Sequence, residues 1–296
     1  MPALISICLT TYNRSAGLRH AVESVLSQDY PRFELIICDN ASSDDTTSVA
    51  RDLCAKDERV RYLRHPENMG SIANFMSGLP HCRGEYFMWL ADDDWLGEGY
   101  LSTCAGFLDQ HPDHVGAYGR VRYYKQGVYS HEGRVITLDQ DAPEHRLLSY
   151  YQAVGDNGIY YSLMRLEQVK KVPQRVVMGT DWFFVAGMAW QGKIRALDDT
   201  IIHRDYNWNA TSFDRIARSQ GIEGFAARSP YLAIALEAFE DIRKQPLYAS
   251  LPEGGRTRLA LKAFWTLCRS KKAGMLTSLR ALASLLFQHR TRLFAE

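Results

Sequence analysis

The sequence lacks the long apolar runs that a membrane-spanning protein needs. No stretch approaches the roughly 20 apolar residues of a transmembrane helix, and the segment after Met1 has neither the basic start nor the apolar run of a signal peptide. The six cysteines form no CxxC pair, and Cys8 and Cys38 lie in apolar runs, as reduced core cysteines do. We therefore expect a protein in a reducing, cytoplasmic setting.

Two common phosphate-binding motifs are also missing. There is no GxxxxGK(S/T) P-loop, and no GxGxxG follows the first predicted strand. The body of the chain carries no basic stripe with interleaved aromatic residues, so we expect no nucleic-acid partner. A content of 46% hydrophobic and 23% charged residues is typical of a globular protein that buries a sizeable core.

Charge is distributed unevenly along the chain. Residues 256–296 contain nine Lys or Arg residues and one acidic residue, whereas residues 1–255 contain 26 basic and 33 acidic residues. Leucine and aromatic residues recur among these basic residues, with a break near Lys271–Gly274, which predicts two amphipathic helices. Because an anionic surface attracts each nearby basic residue by roughly 1 kcal/mol, we expect residues 256–294 to bind an anionic membrane surface peripherally. The alternative is that these helices pack on the rest of the chain or on a second copy in a homodimer.

Short apolar runs alternate with helical patterns in the first part of the chain. The predicted strands are Leu4–Leu9, Phe33–Cys38, Val60–Leu63 and Tyr86–Leu90, with a helix after each. This rhythm predicts a right-handed β–α–β series and a mainly parallel, Rossmann-like sheet flanked by helices, in the α/β class.

The later part of the chain has a weaker pattern. It predicts two strands, 115–124 and 128–129, which we expect to pair antiparallel, then a polar and irregular segment at 131–150. A helix opens at 178–182, and two strand fragments follow at Ile194–Leu197 and Thr200–Ile202.

Three consecutive carboxylates, Asp92, Asp93 and Asp94, follow the apolar strand Tyr86–Leu90. Adjacent like charges repel one another, and a divalent cation is the simplest compensation, because carboxylate oxygens suit Mg²⁺ or Mn²⁺. Ligands of open α/β sheets sit beyond the carboxyl ends of the strands. The triplet therefore predicts a metal site, with a solvated acidic turn as the alternative.

The order of the polar loops resembles that of the family 2 glycosyltransferases with the GT-A fold, over roughly residues 3–210. The motifs that carry this resemblance are Thr11-Tyr12-Asn13-Arg14, Asp39-Asn40-Ala41-Ser42-Ser43-Asp44, Asn68-Met69-Gly70 with Asn74, the acid triplet, Gly179-Thr180-Asp181, and His203. The family transfers a sugar from a nucleotide diphosphate donor with inversion. The resemblance therefore implies a nucleotide-binding half at 1–95, an acceptor half at 96–215 and a helical extension at 216–296.

The resemblance also implies donor contacts. Asp39 would accept hydrogen bonds from a pyrimidine ring, Thr11 and Tyr12 would line the base pocket, and Arg14 would meet the diphosphate. The alternatives are a core position for Tyr12 and a solvated loop arginine for Arg14. Asn40 and Asn68 belong to the same set, although turn capping is an equal alternative for Asn40 and remains open for Asp39. We prefer UDP or dTDP as the nucleotide and keep GDP as possible.

Within the triplet, the family pattern points to Asp93 as the principal ligand of Mn²⁺ or Mg²⁺. Asp92 would then face the ribose, and Asp94 would support the metal or face the acceptor. His203 matches a family histidine near the metal. Ala91 stands where a first aspartate is common, which is a departure from the pattern.

Asp181 matches the family's general base, although Thr180 replaces the glutamate that often precedes it. Its alternative is an N-cap of the following helix. The expected function is metal-dependent, inverting sugar transfer to a glycan or polyprenyl-linked acceptor in bacterial-type surface polysaccharide synthesis. The competing functions are a sugar-1-phosphate nucleotidyltransferase and a non-catalytic nucleotide-sugar or glycan-binding homologue.

Overall fold

Nine strands form one sheet in the computed structural model, which describes residues 1–205, 217 and 222–274. Four parallel strands make up its first half, in the order β3-β2-β1-β4. They are β1 (Ile5–Thr11), β2 (Phe33–Asp39), β3 (Val60–Arg64) and β4 (Tyr86–Ala91), and the helices between them are α1 (Ser15–Leu26), α2 (Thr46–Lys56) and α3 (Ser71–Ser77).

The second half of the sheet is mixed, and it continues in the order β8-β6-β9-β5, with β7 paired to β6. Its strands are β5 (Asp94–Leu96), β6 (His114–Lys125), β7 (Val128–Glu132), β8 (Leu163–Arg165) and β9 (Lys193–Asp205). The helices are α4 (Tyr100–Gln110), α5 (Pro143–Ala153), α6 (Leu166–Val169), α7 (Thr180–Gln191), α8 (Phe225–Arg228), α9 (Pro230–Lys244) and α10 (Glu253–Ser270).

The parallel pairing of β1 to β4 confirms the predicted β–α–β series. Its strands are apolar on both faces and therefore need a helix on each side. Every residue of β1 and β2 is buried, and α1 covers them with Leu18, Ala21, Val22 and Val25. The strands run further than predicted, to Thr11 and Asp39, so these two polar side chains stand on strand ends and not in loops.

Two predictions in the second half are wrong. The segment 131–150 is not irregular throughout, because α5 begins at Pro143 and buries Leu147, Tyr150 and Tyr151 among its polar residues. The two strand fragments near residue 200 are one strand, β9, whose pairing with β6 shifts register between Gly119 and Arg120. The shift breaks the alternation of apolar residues that marks a strand.

The helix α10 packs against α9 and α5 through Leu259, Ala260, Ala263 and Leu267. Lys262 pairs with Glu144 at the start of α5, and Ser270 donates to the backbone oxygen of Tyr151 near its end. The first predicted tail helix is thus present, and the second lies outside the described residues. In the part of the chain that is described, no helix combines the length and apolarity needed to cross a membrane.

Candidate active site

The polar ends of three parallel strands meet at one edge of the sheet. Thr11 at the end of β1 lies in register with Asp39 at the end of β2, and Thr10 lies in register with Ala91 at the end of β4. The loop that follows each strand therefore starts at the same level. This is the edge at which open α/β sheets bind their ligands.

Asp92 is buried at this edge and is held by the loop after β1. One carboxylate oxygen accepts the backbone N–H of Tyr12 at 3.2 Å, and the other lies 3.3 Å from Nη1 of Arg14. Burial raises the pKa of Asp92 to about 7, repulsion by Asp93 adds to the rise, and Arg14 opposes it. The N-terminus of α1 approaches closely, since any Cβ at Gly17 would clash with the backbone oxygen of Asp92.

Asp93 is the member of the triplet that opens to solvent. Its side chain is 22% exposed and accepts a hydrogen bond from Nη1 of Arg14 at 2.5 Å. It faces a cleft of about 360 Å³ whose wall also includes Arg14, His20, Asp44, Trp95 and Asp205. The cleft therefore combines several carboxylates with one guanidinium, which suits a metal-bound anionic ligand.

Asp94 is buried and forms an ion pair with Arg204 of β9, Nε to Oδ2 3.2 Å. Burial raises the pKa of Asp94 to about 8, against the opposing effect of Arg204. Arg204 also donates to the hydroxyls of Tyr123 and Tyr161 and lies over the Tyr161 ring. In this structure Asp94 thus joins β5 to β9, and its metal assignment stays a prediction.

The proposed base-binding residues are engaged in turns. Asp39 accepts the backbone N–H of Ser42 at 2.9 Å and the hydroxyl of Tyr62 at 2.5 Å. Burial and the bond to Asp39 raise the pKa of Tyr62 to about 12. Asn40 donates to Asn68 at 2.8 Å, which ties the loop after β3 to the loop after β2. Both capping alternatives are therefore present in the structure, and the contacts with a base stay predictions.

Asp181 is in the first turn of α7 and is held from outside that helix. Nδ2 of Asn157 donates to Asp181 at 2.7 Å, and Oδ1 of Asn157 accepts the hydroxyl of Tyr150 at 2.8 Å. Burial raises the pKa of Asp181, although Asn157 and, more weakly, Arg204 act against the rise. A carboxylate with a raised pKa and a fixed orientation is suited to accept a proton.

His203 lies in an aromatic group beside the triplet. Its ring stacks on Trp95 at 5.0 Å between centroids, and Nδ1 lies 3.0 Å from the hydroxyl of Tyr124. Burial lowers the pKa of His203, which favours the neutral ring that metals bind. Within the described residues, neither His203 nor Asp181 hydrogen-bonds to the triplet, so their assignments remain predictions.

The described residues contain no group of three His, Cys, Asp or Glu side chains that could hold a metal by themselves. Mg²⁺ and similar ions are commonly held by one or two carboxylates together with substrate phosphates. A solvent-facing Asp93 beside Asp92 fits that arrangement, because a diphosphate would supply the remaining oxygens.

Three residues that position the site were not predicted. Arg204 pairs with Asp94, Tyr62 with Asp39, and Asn157 with Asp181. For Arg204 the sequence does carry a signal: the arginine follows an apolar strand segment, and a buried guanidinium needs a carboxylate partner. Nothing in the local sequence marks Tyr62 or Asn157.

Comparison with known proteins gives a consistent result. The sequence model of "Glycosyl transferase family 2" matches residues 6–172. A GalNAc(5)-diNAcBac-PP-undecaprenol beta-1,3-glucosyltransferase of Campylobacter jejuni is 36% identical over 143 residues, which cover 48% of this chain and 45% of that protein. Glycosyltransferase GlyA of Streptococcus pneumoniae is 27% identical over 169 residues, 56% of this chain and 22% of that protein. The chain thus spans less than half the length of these relatives.

Solved structures share the fold at lower identity. S. aureus TarS 1-349 in complex with UDP-GlcNAc has a TM-score of 0.65 at 16% identity, covering 94% of this chain and 80% of that one. A mannosyltransferase from Pyrobaculum calidifontis in complex with GDP-Man and Mn²⁺ has a TM-score of 0.54 at 16% identity, covering 99% of this chain and 81% of that one.

Proposed function

The chain belongs to glycosyl transferase family 2, whose sequence model spans more than half of it, and we propose that it transfers a sugar from a nucleotide diphosphate donor to an acceptor hydroxyl. We further propose that the transfer inverts the anomeric centre and needs Mn²⁺ or Mg²⁺. The acceptor would be a glycan or a lipid-linked glycan. The observation that carries the proposal is the pair Asp92 and Asp93 at the end of β4, with Asp93 open to a cleft beside Arg14.

The donor would lie along the shared edge of the strands. Asp39, Asn40 and Asn68 fix the loops after β2 and β3. Thr11 and Tyr12 would line the space between those loops and the triplet, to which the backbone of Tyr12 is bonded. A pyrimidine base would bind there. UDP or dTDP is preferred for that reason, and the UDP-GlcNAc held by TarS supports the choice.

Asp93, with Asp92 beside it, would hold the divalent cation, which as a Lewis acid stabilises the charge on the departing nucleotide diphosphate. Arg14 already places its guanidinium against both carboxylates. The same group can bind a diphosphate, because a guanidinium matches the geometry of phosphate oxygens. Arg14 thus partly neutralises the two carboxylates and offers a cation to the donor.

Asp181 would take the proton from the attacking acceptor hydroxyl. Inversion requires the hydroxyl to approach from the face opposite the leaving diphosphate, so the base belongs to the acceptor half of the site. The bond from Asn157 fixes the carboxylate, and the pKa raised by burial improves it as a base. The N-cap alternative for Asp181 is wrong, because α7 begins at Thr180, its N-cap is Gly179 and no side chain of the described residues caps it. A carboxylate in the first turn is still favoured by the helix dipole.

A membrane-linked acceptor is supported by the outer face of α10. Leu261 and Trp265 are 46% and 56% exposed on this face. Arg258, Lys262 and Arg269 line the same shallow surface, which has the composition of an interfacial contact with anionic lipid. The opposite face of α10 is packed in the core, so the packing alternative accounts for only one side of the helix.

The test is release of nucleoside diphosphate from UDP-, dTDP- and GDP-sugars, with Mn²⁺, with Mg²⁺ and with a chelator. We expect slow metal-dependent donor hydrolysis that one nucleotide supports best. Asp199→Asn, an exposed aspartate on β9, is the control for Asp93→Asn. Hydrolysis and transfer with none of these donors would indicate a non-catalytic homologue. Formation of a nucleotide sugar from a sugar 1-phosphate would instead indicate a nucleotidyltransferase.

A further inference from the structure

Two cations from distant parts of the chain meet at the C-terminus of α5. Nη1 of Arg134 donates to the backbone oxygen of Ala153 at 2.6 Å, and Nζ of Lys271 donates to the next carbonyl, that of Val154. Cations at this position are favoured by the helix dipole. Capping uses only part of each side chain, since Arg has five N–H donors and Lys has three.

Among the described residues, neither cation pairs with a carboxylate. The ion pairs found among the described residues include neither Arg134 nor Lys271. Asp156 is close, but it accepts the backbone N–H of Arg134 and not the guanidinium. Burial lowers the pKa of Lys271, and the charge of Arg134 lowers it further. Two positive charges side by side, held by backbone carbonyls and not by carboxylates of the described residues, would be stabilised by an anion.

One of the two cations contacts the residue that follows the proposed general base. Nζ of Lys271 is 5.1 Å from the ring centroid of Trp182, which directly follows Asp181. The loop that begins at Val154 continues to Asn157, whose amide holds Asp181 at 2.7 Å. The cations are thus linked to Asp181 through Trp182 and through the loop from Val154 to Asn157.

We propose that Arg134 and Lys271 form a subsite for a phosphate group carried by the acceptor. The inference rests on the proposed function, because it takes Asp181 to mark the acceptor side. The guanidinium of Arg134 can bind phosphate oxygens in pairs, and Lys271 adds a point charge. The phosphate could belong to the diphosphate link of a lipid-carried glycan or to a phosphodiester within a soluble glycan.

Inorganic pyrophosphate is the direct probe, titrated calorimetrically into the full-length protein in the presence of a chelator. We expect Arg134→Gln and Lys271→Met to bind it roughly tenfold or more weakly, because a hydrogen bond to a charged group commonly contributes that much. Lys272→Met is the matched control, since Lys272 is exposed and adjacent in sequence; it should bind as the parent does. Lys271→Arg should keep most of the affinity and covers the case in which Lys271→Met does not fold.

Equal pyrophosphate binding by the parent and both subsite variants, or no binding by the parent, would overturn the proposal. Kinetics give a second test. In Lys271→Met, KM for a phosphate-bearing acceptor should rise roughly tenfold at unchanged kcat, whereas KM for the matching phosphate-free glycoside should stay constant. The comparison uses a polyprenyl diphosphate glycan and a soluble glycan phosphodiester as acceptors. The acceptor whose KM rises in Lys271→Met is the one whose phosphate binds the subsite. If neither shows it, the subsite is wrong.

The two proposals can fail separately. A parent protein that binds pyrophosphate through Arg134 and Lys271 but neither hydrolyses nor transfers any donor sugar would retain the subsite and lose the proposed function. A parent protein that turns over the donor, but whose KM is the same for acceptors with and without phosphate, would retain the proposed function and lose the subsite.

Discussion

Replacing Arg204 with Met tests whether its buried pair with Asp94 holds the acidic turn in place. The change removes the partner of a buried carboxylate, 3.2 Å away, and the hydrogen bonds donated to Tyr123 and Tyr161. Removing one member of a buried ion pair typically costs about 3–5 kcal/mol. Because burial raises the pKa of Asp94 and Arg204 opposes that rise, the carboxyl that has lost Arg204 can take up a proton at neutral pH. We therefore expect the lower end of that range, about 3 kcal/mol.

Urea unfolding followed by tryptophan fluorescence measures this loss, with a lower midpoint and an unchanged slope. Arg195→Met is the control on the same strand, because Arg195 pairs with Asp139 at the surface and exposed pairs contribute about 1 kcal/mol or less. Asp94→Asn combined with Arg204→Met should recover at least about 1 kcal/mol, since neighbouring buried groups are coupled. An Arg204→Met variant as stable as Arg195→Met, or a double variant whose losses simply add, would refute the reasoning.

Three further predictions concern the site and α10. Asp181→Asn should lower kcat by about 10²–10⁴-fold with little change in donor KM. Turnover of the parent should fall as the pH drops through the raised pKa of Asp181, because only the ionised carboxylate accepts a proton. Lost donor binding at unchanged kcat would leave Asp181 only a structural role in the first turn of α7. Asp39→Ala should weaken UDP or dTDP binding in calorimetry with or without metal, and unchanged affinity would assign Asp39 to turn capping. Trp265→Ser should reduce salt-sensitive co-sedimentation with anionic vesicles, whereas Val176→Ser, at another exposed apolar position, should not; equal binding by both would assign α10 to packing alone.

The first half of the fold was predictable because its strands are buried on both faces. Such strands appear in the sequence as unbroken apolar runs, and the polar residues that end them mark the edge where the site forms. Thr11, Asp39 and Asp92 meet there for that reason. The sequence pattern alone therefore predicts that the loops after β1, β2 and β4 lie together.

The second half was harder because its pairing is set by tertiary contacts. The helix α5 hides its buried face among polar residues, and β9 contains a register shift that interrupts its pattern. The partners of the site residues are also distant in sequence: Arg204 lies 110 positions from Asp94, and Asn157 lies 24 positions from Asp181. No local pattern encodes such pairs. For the same reason the meeting of Arg134 and Lys271 at the end of α5 becomes visible only in the folded chain.

The central claim is that Asp93 holds the divalent cation of a nucleotide diphosphate donor. Calorimetric titration of UDP, dTDP and GDP with and without Mn²⁺ tests it most directly, using the parent, Asp93→Asn and the exposed control Asp199→Asn. We predict metal-dependent binding of at least one nucleotide by the parent and the control, and loss of the metal dependence in Asp93→Asn while the variant stays folded. Unchanged Mn²⁺-dependent binding in Asp93→Asn would contradict the assignment.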